Sequence, residues 1–61
     1  MTTLHPVPGA PSNPGRLTPN ARAGSGNQWF ATLETSAGEV VKSSEALNSY
    51  AEAMEAAHNA L

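Results

Sequence analysis

The amino-acid sequence predicts an α+β fold: one ββα unit, in which an antiparallel hairpin is followed by a C-terminal helix. Two β-rich stretches, QWFATLET at 28–35 and EVVKS at 39–43, are separated by a short loop that contains glycine. Such a combination is a good hairpin signal. An alanine-rich run then begins behind a serine-containing cap sequence, which predicts a helix over about 50–60.

The hairpin is predicted from residue type and from alternation along the strands. Aromatic and threonine side chains favour a pleated surface. Alternation places Trp29 and Leu33 on one face of the first strand, and Phe30 and Glu34 on the other. Gly38 supplies the positive φ that a bulged three-residue hairpin turn requires.

The helix start carries a capping box, formed by Ser49 and Glu52. In this motif the serine hydroxyl accepts a hydrogen bond from the Glu52 amide, and the glutamate carboxylate accepts one from the Ser49 amide. Tyr50, Met54, Ala57 and Leu61 recur at spacings of four, three and four residues. This spacing predicts one apolar stripe along the helix.

Residues 1–26 have a different composition from the rest of the chain. They contain all five prolines and four of the five glycines, whereas all three aromatic residues come later. Proline removes a backbone donor, and a segment with few large apolar side chains does not offset the entropy of ordering it. The segment is therefore predicted to be irregular, either a disordered tail or an extended arm that docks through Leu4, Val7 and Leu17.

The ββα unit has a small core for an independent domain. Nine large apolar side chains are candidates for that core or for a dimer interface: Trp29, Phe30, Leu33, Val40, Val41, Leu47, Tyr50, Met54 and Leu61. A lone hairpin with one helix is a poor domain, and both outer edges of the hairpin would be unpaired. The sequence therefore predicts a homodimer, in which two hairpins form one four-stranded sheet with both helices on one face.

About half of the chain, residues 27–58, resembles a known family. The matching features are Trp29-Phe30-x-x-Leu33, Gly38-Glu39-Val40-Val41, Ser43-Ser44-Glu45 and the serine-capped helix. Their order is similar to that of the YegP-like family, small bacterial proteins grouped as a domain of unknown function. The resemblance implies a ββα unit that many members carry as two tandem copies. By analogy, two chains would supply here what tandem members supply in one. The family has no established activity, so the resemblance implies a fold without a reaction.

Charge and composition argue against several kinds of partner. The net charge of −2 disfavours nucleic acid, whose binding depends on Lys and Arg neutralising phosphates. No apolar run approaches the roughly 20 residues that a membrane-spanning helix needs, and no secretory leader pattern is present. The sequence has no cysteine, which excludes disulfides and is typical of a cytoplasmic protein.

No catalytic, cofactor-binding or metal site is predicted. Ser49 is explained as a helix cap, and Ser44 with Glu45 as a connection that satisfies local backbone groups, although that corner is also a candidate binding feature. His5 and His58 are far apart in sequence and have no neighbouring ligand at metal-binding spacing.

Glu34 and Glu39 flank the hairpin loop and are candidates to face each other across the strands. A glycosidase-type carboxylate pair would need a deep cleft, and a chain of 61 residues has little mass with which to build one. A solvated rim is the expected environment for this pair.

These observations predict a non-enzymatic interaction protein that acts as a homodimer. An alternative is an accessory or decoration protein of a larger assembly, phage particles included, that docks through its N-terminal arm. A third option is a regulator that adds an edge strand to a target sheet. Trp29 and Phe30 point to opposite faces of their strand and are expected to be buried in the extended dimer core. The alternative is that one of them stays exposed as an anchor for a partner, because aromatic residues are enriched at binding hot spots.

Overall fold

The computed structural model describes residues 2–61 and shows a small α+β domain. Its elements are β1 (His5–Pro6), β2 (Thr18–Ala23), β3 (Trp29–Glu34), β4 (Val40–Ser43) and α1 (Tyr50–Asn59). The strands form one sheet in the order β1-β4-β3-β2, and every neighbouring pair is antiparallel. Helix α1 packs on β2 and β3. The predicted α+β class and the C-terminal helix are confirmed.

The β3–β4 hairpin forms where the two β-rich stretches predict it. The Thr35 amide donates to the Glu39 carbonyl (2.9 Å), and the Gly38 amide donates to the Thr35 carbonyl (3.0 Å). The Thr35 hydroxyl accepts from the Ala37 and Glu39 amides, each at 3.2 Å. Gly38 has a φ of 85°, a conformation that L side chains rarely adopt, so glycine is the residue this turn needs.

The prediction that residues 1–26 are irregular is wrong for two segments, which form β1 and β2, whereas residues 7–17 contain neither helix nor strand. β2 pairs with β3 along its whole length. A proline disrupts a strand only where its nitrogen faces a neighbouring strand. The Gly24 amide donates to the Gln28 carbonyl (2.8 Å). In an antiparallel pair every second residue bonds to the neighbouring strand, so the even-numbered residues of β2 bond to β3 and the backbone of Pro19 points away from β3.

Residues 7–17 connect the two outer edges of the sheet, since β1 lies beside β4 and β2 lies at the opposite edge. The Val7 amide donates to the Val41 carbonyl (2.9 Å), and the Ala10 amide donates back to the Val7 carbonyl (3.2 Å). Gly9, with a φ of 81°, completes a type II turn after Pro8. Val7 and Leu17 are half-buried, so these two residues of the expected arm are used within the chain.

The core between α1 and the sheet is built mainly from small side chains. Buried Ala53, Ala56 and Ala57 of α1 cluster with Ala31 and Leu47, and Leu4, Ala21 and Trp29 pack against this cluster. Leu33 and Val41 are also buried. Alanine lets a helix approach a sheet closely, so the three alanines set the buried face of α1. The predicted stripe is only partly on that face: its Ala57 is buried, whereas Tyr50 is 50% exposed and Leu61 is 66% exposed.

The four-stranded sheet forms within one chain and does not require two copies. Both edges of the β3–β4 hairpin are occupied, one by β2 and the other by β1. The unpaired hairpin edges that motivated the dimer prediction are therefore absent, and a dimer built by joining those edges is wrong. Self-association by another surface stays a prediction.

Candidate functional site

Large apolar side chains line one side of the helix, and we call this surface the α1 apolar flank: Tyr50, Met54 and Leu61. Each residue of an α-helix turns about 100° from the one before. This rotation places the α1 apolar flank beside the buried Ala57 and away from Glu52 and Asn59. Leu61 lies two residues after the end of α1, and its amide donates to the His58 carbonyl (3.3 Å), so the chain makes one more turn in the direction of the helix. Two of the three side chains are at least half exposed.

The opposite side of α1 is polar and faces the β1 edge of the sheet. There, a shallow cavity of about 190 Å³ is lined by Thr2, Glu52, Glu55, Ala56 and Asn59. Thr2 lies three residues before β1, which marks this side as the one nearer β4 and β1. The α1 apolar flank therefore faces the other way, toward the outer edge of β2.

Tyr50 is held in place by a second aromatic ring. Its ring centroid lies 5.3 Å from that of Trp29, and the ring planes meet at 83°, an edge-to-face contact. Trp29 stands opposite Ala23, at the end of β2. Its backbone exchanges two hydrogen bonds with Leu47, of 2.9 and 2.7 Å. An exposed ring fixed in this way loses little freedom when a partner covers it.

The helix cap sets where Tyr50 emerges. The Ser49 hydroxyl accepts from the Glu52 amide at 3.1 Å, and the extended backbone of Ser49 ends the preceding loop. The Glu52 carboxylate accepts from the Asn48 amide at 3.1 Å and not from the Ser49 amide that a capping box would use. Helix α1 accordingly starts at Tyr50, the first residue of the α1 apolar flank.

The outer edge of β2 adjoins this flank and presents unpaired backbone groups. Because the even-numbered residues of β2 bond to β3, the backbones of Pro19, Ala21 and Ala23 point outward. In this register the amides of Ala21 and Ala23 point away from β3, toward the outer side of the sheet. Pro19 offers only its carbonyl. A sheet edge of this kind can accept another extended chain.

The face of the sheet opposite α1 carries a polar network centred on Glu34. One carboxylate oxygen, Oε2, accepts from Arg22 Nε at 2.7 Å, from the Thr32 hydroxyl at 2.8 Å and from Asn20 Nδ2 at 3.0 Å. Arg22 Nη2 also donates to the Gly38 carbonyl at 3.2 Å. The network thus ties β2 to β3 and to the hairpin loop.

The network holds Glu34 in its ionised form. The hydrogen bond from Arg22 lowers the pKa of the Glu34 carboxyl, partial burial opposes that effect, and Thr32 and Asn20 lower it further. The same pair raises the pKa of Arg22. A carboxylate with a lowered pKa is a poor proton donor near neutral pH, so this cluster is suited to structure more than to acid catalysis.

The other candidate groups have local roles or lie apart. The Ser44 hydroxyl accepts from the Ala31 amide at 3.0 Å and donates to the Glu45 carbonyl at 2.8 Å, so it satisfies backbone groups at this corner. Glu34 stands opposite Val40 and is buried, whereas Glu39 is exposed. Within residues 2–61, no set of three or more His, Cys, Asp or Glu side chains is placed to hold a metal ion.

Trp29 and Phe30 are both half-buried, on opposite faces of β3. Phe30 covers Gly24, where a Cβ atom would collide with its ring. The aromatic residue that is most exposed is neither of these two but Tyr50. The exposed anchor expected on β3 is therefore on α1.

Sequence reasoning missed the part that β2 plays in both surfaces. The signal was present in the stretch TPNARA, which alternates polar Thr18, Asn20 and Arg22 with Pro19, Ala21 and Ala23. Such alternation is typical of a strand with one face on a core. The alternation is a weak signal here because the side chains on the α1 side of the strand belong to a proline and two alanines.

Comparisons of the chain with protein-family models, with curated proteins and with solved structures gave no match. The YegP-like resemblance accordingly stays a prediction. Among the helices formed by residues 2–61, none has the length and apolar character needed to cross a membrane.

Proposed function

We propose that this chain is a non-enzymatic interaction protein whose binding surface is the α1 apolar flank. The proposal rests on one observation: the small alanine side chains of α1 are buried, whereas the larger Tyr50 and Leu61 are 50% and 66% exposed. Placing the larger side chains outside leaves apolar area without a covering group. Aromatic and large aliphatic residues exposed together are typical of interaction sites.

The environments of the reactive side chains support binding over catalysis. The hydroxyls of Ser44 and Ser49 are engaged with backbone groups. Glu34 is occupied by three donors on one oxygen. Catalysis requires a nucleophile and a base that converge on a reacting atom, and the groups described above serve the fold instead.

The alternative of an accessory protein in a larger assembly needs a different docking surface from the one first expected. The N-terminal arm that would lie along a neighbouring subunit supplies β1, β2 and the crossing between them. An assembly partner would instead meet the α1 apolar flank or the β2 edge. Variants of the α1 apolar flank therefore test binding to an assembly partner as well as to any other protein.

A matched pair of charge substitutions tests the proposed surface. Leu61→Glu places a carboxylate on the α1 apolar flank, and Asn59→Glu places one on the polar side of the same last turn, where Asn59 is exposed. Tagged wild-type and variant chains would be used to capture proteins from cells that express the chain, followed by quantitative mass spectrometry. We expect Leu61→Glu to lower recovery of bound proteins about tenfold, with Asn59→Glu close to wild type.

Both variants are expected to keep the helical circular dichroism of the wild type, because each site is exposed. Equal recovery by Leu61→Glu and Asn59→Glu would show that the α1 apolar flank is not the binding surface.

A further inference from the structure

We propose that the partner of the α1 apolar flank is a second copy of this chain, joined β2 to β2 so that two four-stranded sheets become one. This inference rests on the proposed function, because it uses the same flank. It differs from a dimer of bare hairpins, since each copy contributes a complete sheet and the seam is formed by the edge strands that the N-terminal third supplies.

The backbone of β2 is self-complementary about a two-fold axis at Ala21. With the strands antiparallel, each Ala21 amide donates to the Ala21 carbonyl of the other copy. Each Ala23 amide then donates to the other copy's Pro19 carbonyl. Pro19 has no amide, so its position on the edge makes it an acceptor only. The β2–β3 register is the reason that the backbone groups of these residues point away from β3.

Charge selects this register over the neighbouring one. An axis at Arg22 would also bring outward-pointing groups together, but it would place the two Arg22 side chains directly opposite each other on one face. Like charges in that position destabilise a strand pair. An axis at Ala21 places Arg22 opposite Asn20, and both of these side chains already hydrogen-bond to Glu34 in their own chain.

The helices arrive at packing distance when β2 pairs with β2. Helix α1 packs on both β2 and β3, and neighbouring strands are about 4.8 Å apart. A helix above the line between β2 and β3 therefore lies about one strand spacing from the seam, and the two helices are about 9.6 Å apart. Packed helices have interaxial distances of about 8–10 Å.

The two-fold axis also matches the ends of the α1 apolar flank. Tyr50 stacks on Trp29, opposite Ala23, so the start of α1 lies at the Ala23 end of β2. Leu61 consequently lies toward the Pro19 end. Because the axis brings the Ala23 end of one copy beside the Pro19 end of the other, Tyr50 of each copy meets Leu61 of its mate, with Met54 between them.

The acidic residues do not oppose this arrangement. Glu52 and Glu55 line the cavity with Thr2 on the side of α1 that faces β1. They point away from the seam, so pairing two chains of net charge −2 does not bring these carboxylates together.

Sedimentation velocity from micromolar to millimolar concentration tests the association. We expect a reversible shift to twice the 6.3 kDa chain mass. Leu61→Glu should raise the dissociation constant about tenfold or more, and Asn59→Glu should leave it unchanged. Ala23→Pro removes an outward amide from an exposed position of β2 and should weaken the dimer on the order of tenfold. Circular dichroism checks that Ala23→Pro stays folded, and Ala23→Ser is its control.

Introduced thiols test the register, since the chain has no cysteine of its own. Paired Ala21 residues would have Cα atoms about 5.5 Å apart, within disulfide range. Ala21→Cys should therefore form a covalent dimer on mild oxidation, whereas Ala23→Cys, which faces Pro19, should not.

A wild-type chain that sediments as a monomer at every concentration would overturn the second-copy proposal while leaving the capture result of Leu61→Glu intact. Loss of dimer in Leu61→Glu but not in Ala23→Pro would overturn the shared sheet. Failure of Ala21→Cys to cross-link, when sedimentation shows that this variant is itself dimeric under reducing conditions, would overturn the register at Ala21.

Discussion

The two faces of β2 are held by different physical interactions. On the face toward α1, Ala21 packs against the alanine cluster that includes Ala31 and Ala57. On the other face, Asn20 and Arg22 bond to the Glu34 carboxylate. One face thus depends on small size and close packing, and the other on charge and hydrogen bonds.

This difference shows how a strand without any large apolar side chain keeps its place in a sheet. β2 has the sequence TPNARA, so it brings little hydrophobic area of its own. Close packing of alanines is sensitive to added volume, because interiors have few voids. A charged network is sensitive to pH and to loss of one partner. Each face can therefore be perturbed without direct change to the other.

The largest effect is expected from added volume on the helix side. Ala57→Leu inserts an isobutyl group at a position that is 0% exposed, which should lower the free energy of unfolding by about 3 kcal/mol. In a chain of this size such a loss is a large part of the total stability. Urea unfolding followed by circular dichroism measures it.

Ala51→Leu is the matched control, since Ala51 is an exposed alanine on the same helix. It should change stability by less than about 0.5 kcal/mol. Similar midpoints for Ala57→Leu and Ala51→Leu would contradict a close-packed alanine interface.

A smaller effect is expected from the polar side. Glu34→Gln keeps the shape of the side chain but removes the charge that three donors share. We expect a loss of about 1–2 kcal/mol, since hydrogen bonds to charged groups are stronger than neutral ones. The exposed Glu39→Gln is the control, with an expected change below about 0.5 kcal/mol.

Hydrogen exchange locates the effect of Glu34→Gln within the sheet. The amides of Asn20 and Arg22, which face β3, should lose protection more than the amides of β4. Uniform loss over the whole sheet would instead indicate that the network does not act on β2 in particular.

The elements with strong local patterns were predictable from the sequence. β3, β4 and α1 carry aromatic or β-branched runs, a glycine turn and a serine cap, and each of these signals has its own physical cause. β1 and β2 were not predictable in the same way. Which of their backbone groups form ladder bonds depends on the register with the neighbouring strand, β4 for β1 and β3 for β2, and not on residues such as Pro6 and Pro19.

The candidate site was predicted only in its parts. Tyr50, Met54, Ala57 and Leu61 were predicted to form one stripe, but periodicity reports which residues share a side and not which side is buried. The burial was decided by Ala53, Ala56 and Ala57, which hydrophobic patterns weight lightly. The link between this flank and the β2 edge required β2 to be known.

The smallest expected effect is a pH dependence that belongs to the polar face alone. The pKa of Glu34 in the folded chain lies below its ordinary value of 4.5, chiefly through Arg22. A group with a depressed folded pKa contributes stability that is present above its unfolded pKa and lost as pH falls through the folded pKa. The wild type should therefore lose stability below about pH 4.5 more steeply than Glu34→Gln does.

An NMR titration of the Glu34 carboxyl carbon tests the cause of this pH dependence. In Arg22→Gln the pKa of Glu34 should rise toward its ordinary value, because the largest favourable contact is gone while Thr32 and Asn20 still donate. The acid sensitivity of the variant should then lie between those of the wild type and Glu34→Gln. An unchanged Glu34 pKa in Arg22→Gln would mean that the two remaining donors, and not the guanidinium, hold the carboxylate. In that case the side-chain link from β2 to Glu34 would depend on the neutral Asn20 donor and not on an ion pair, and added salt would leave its stability nearly unchanged.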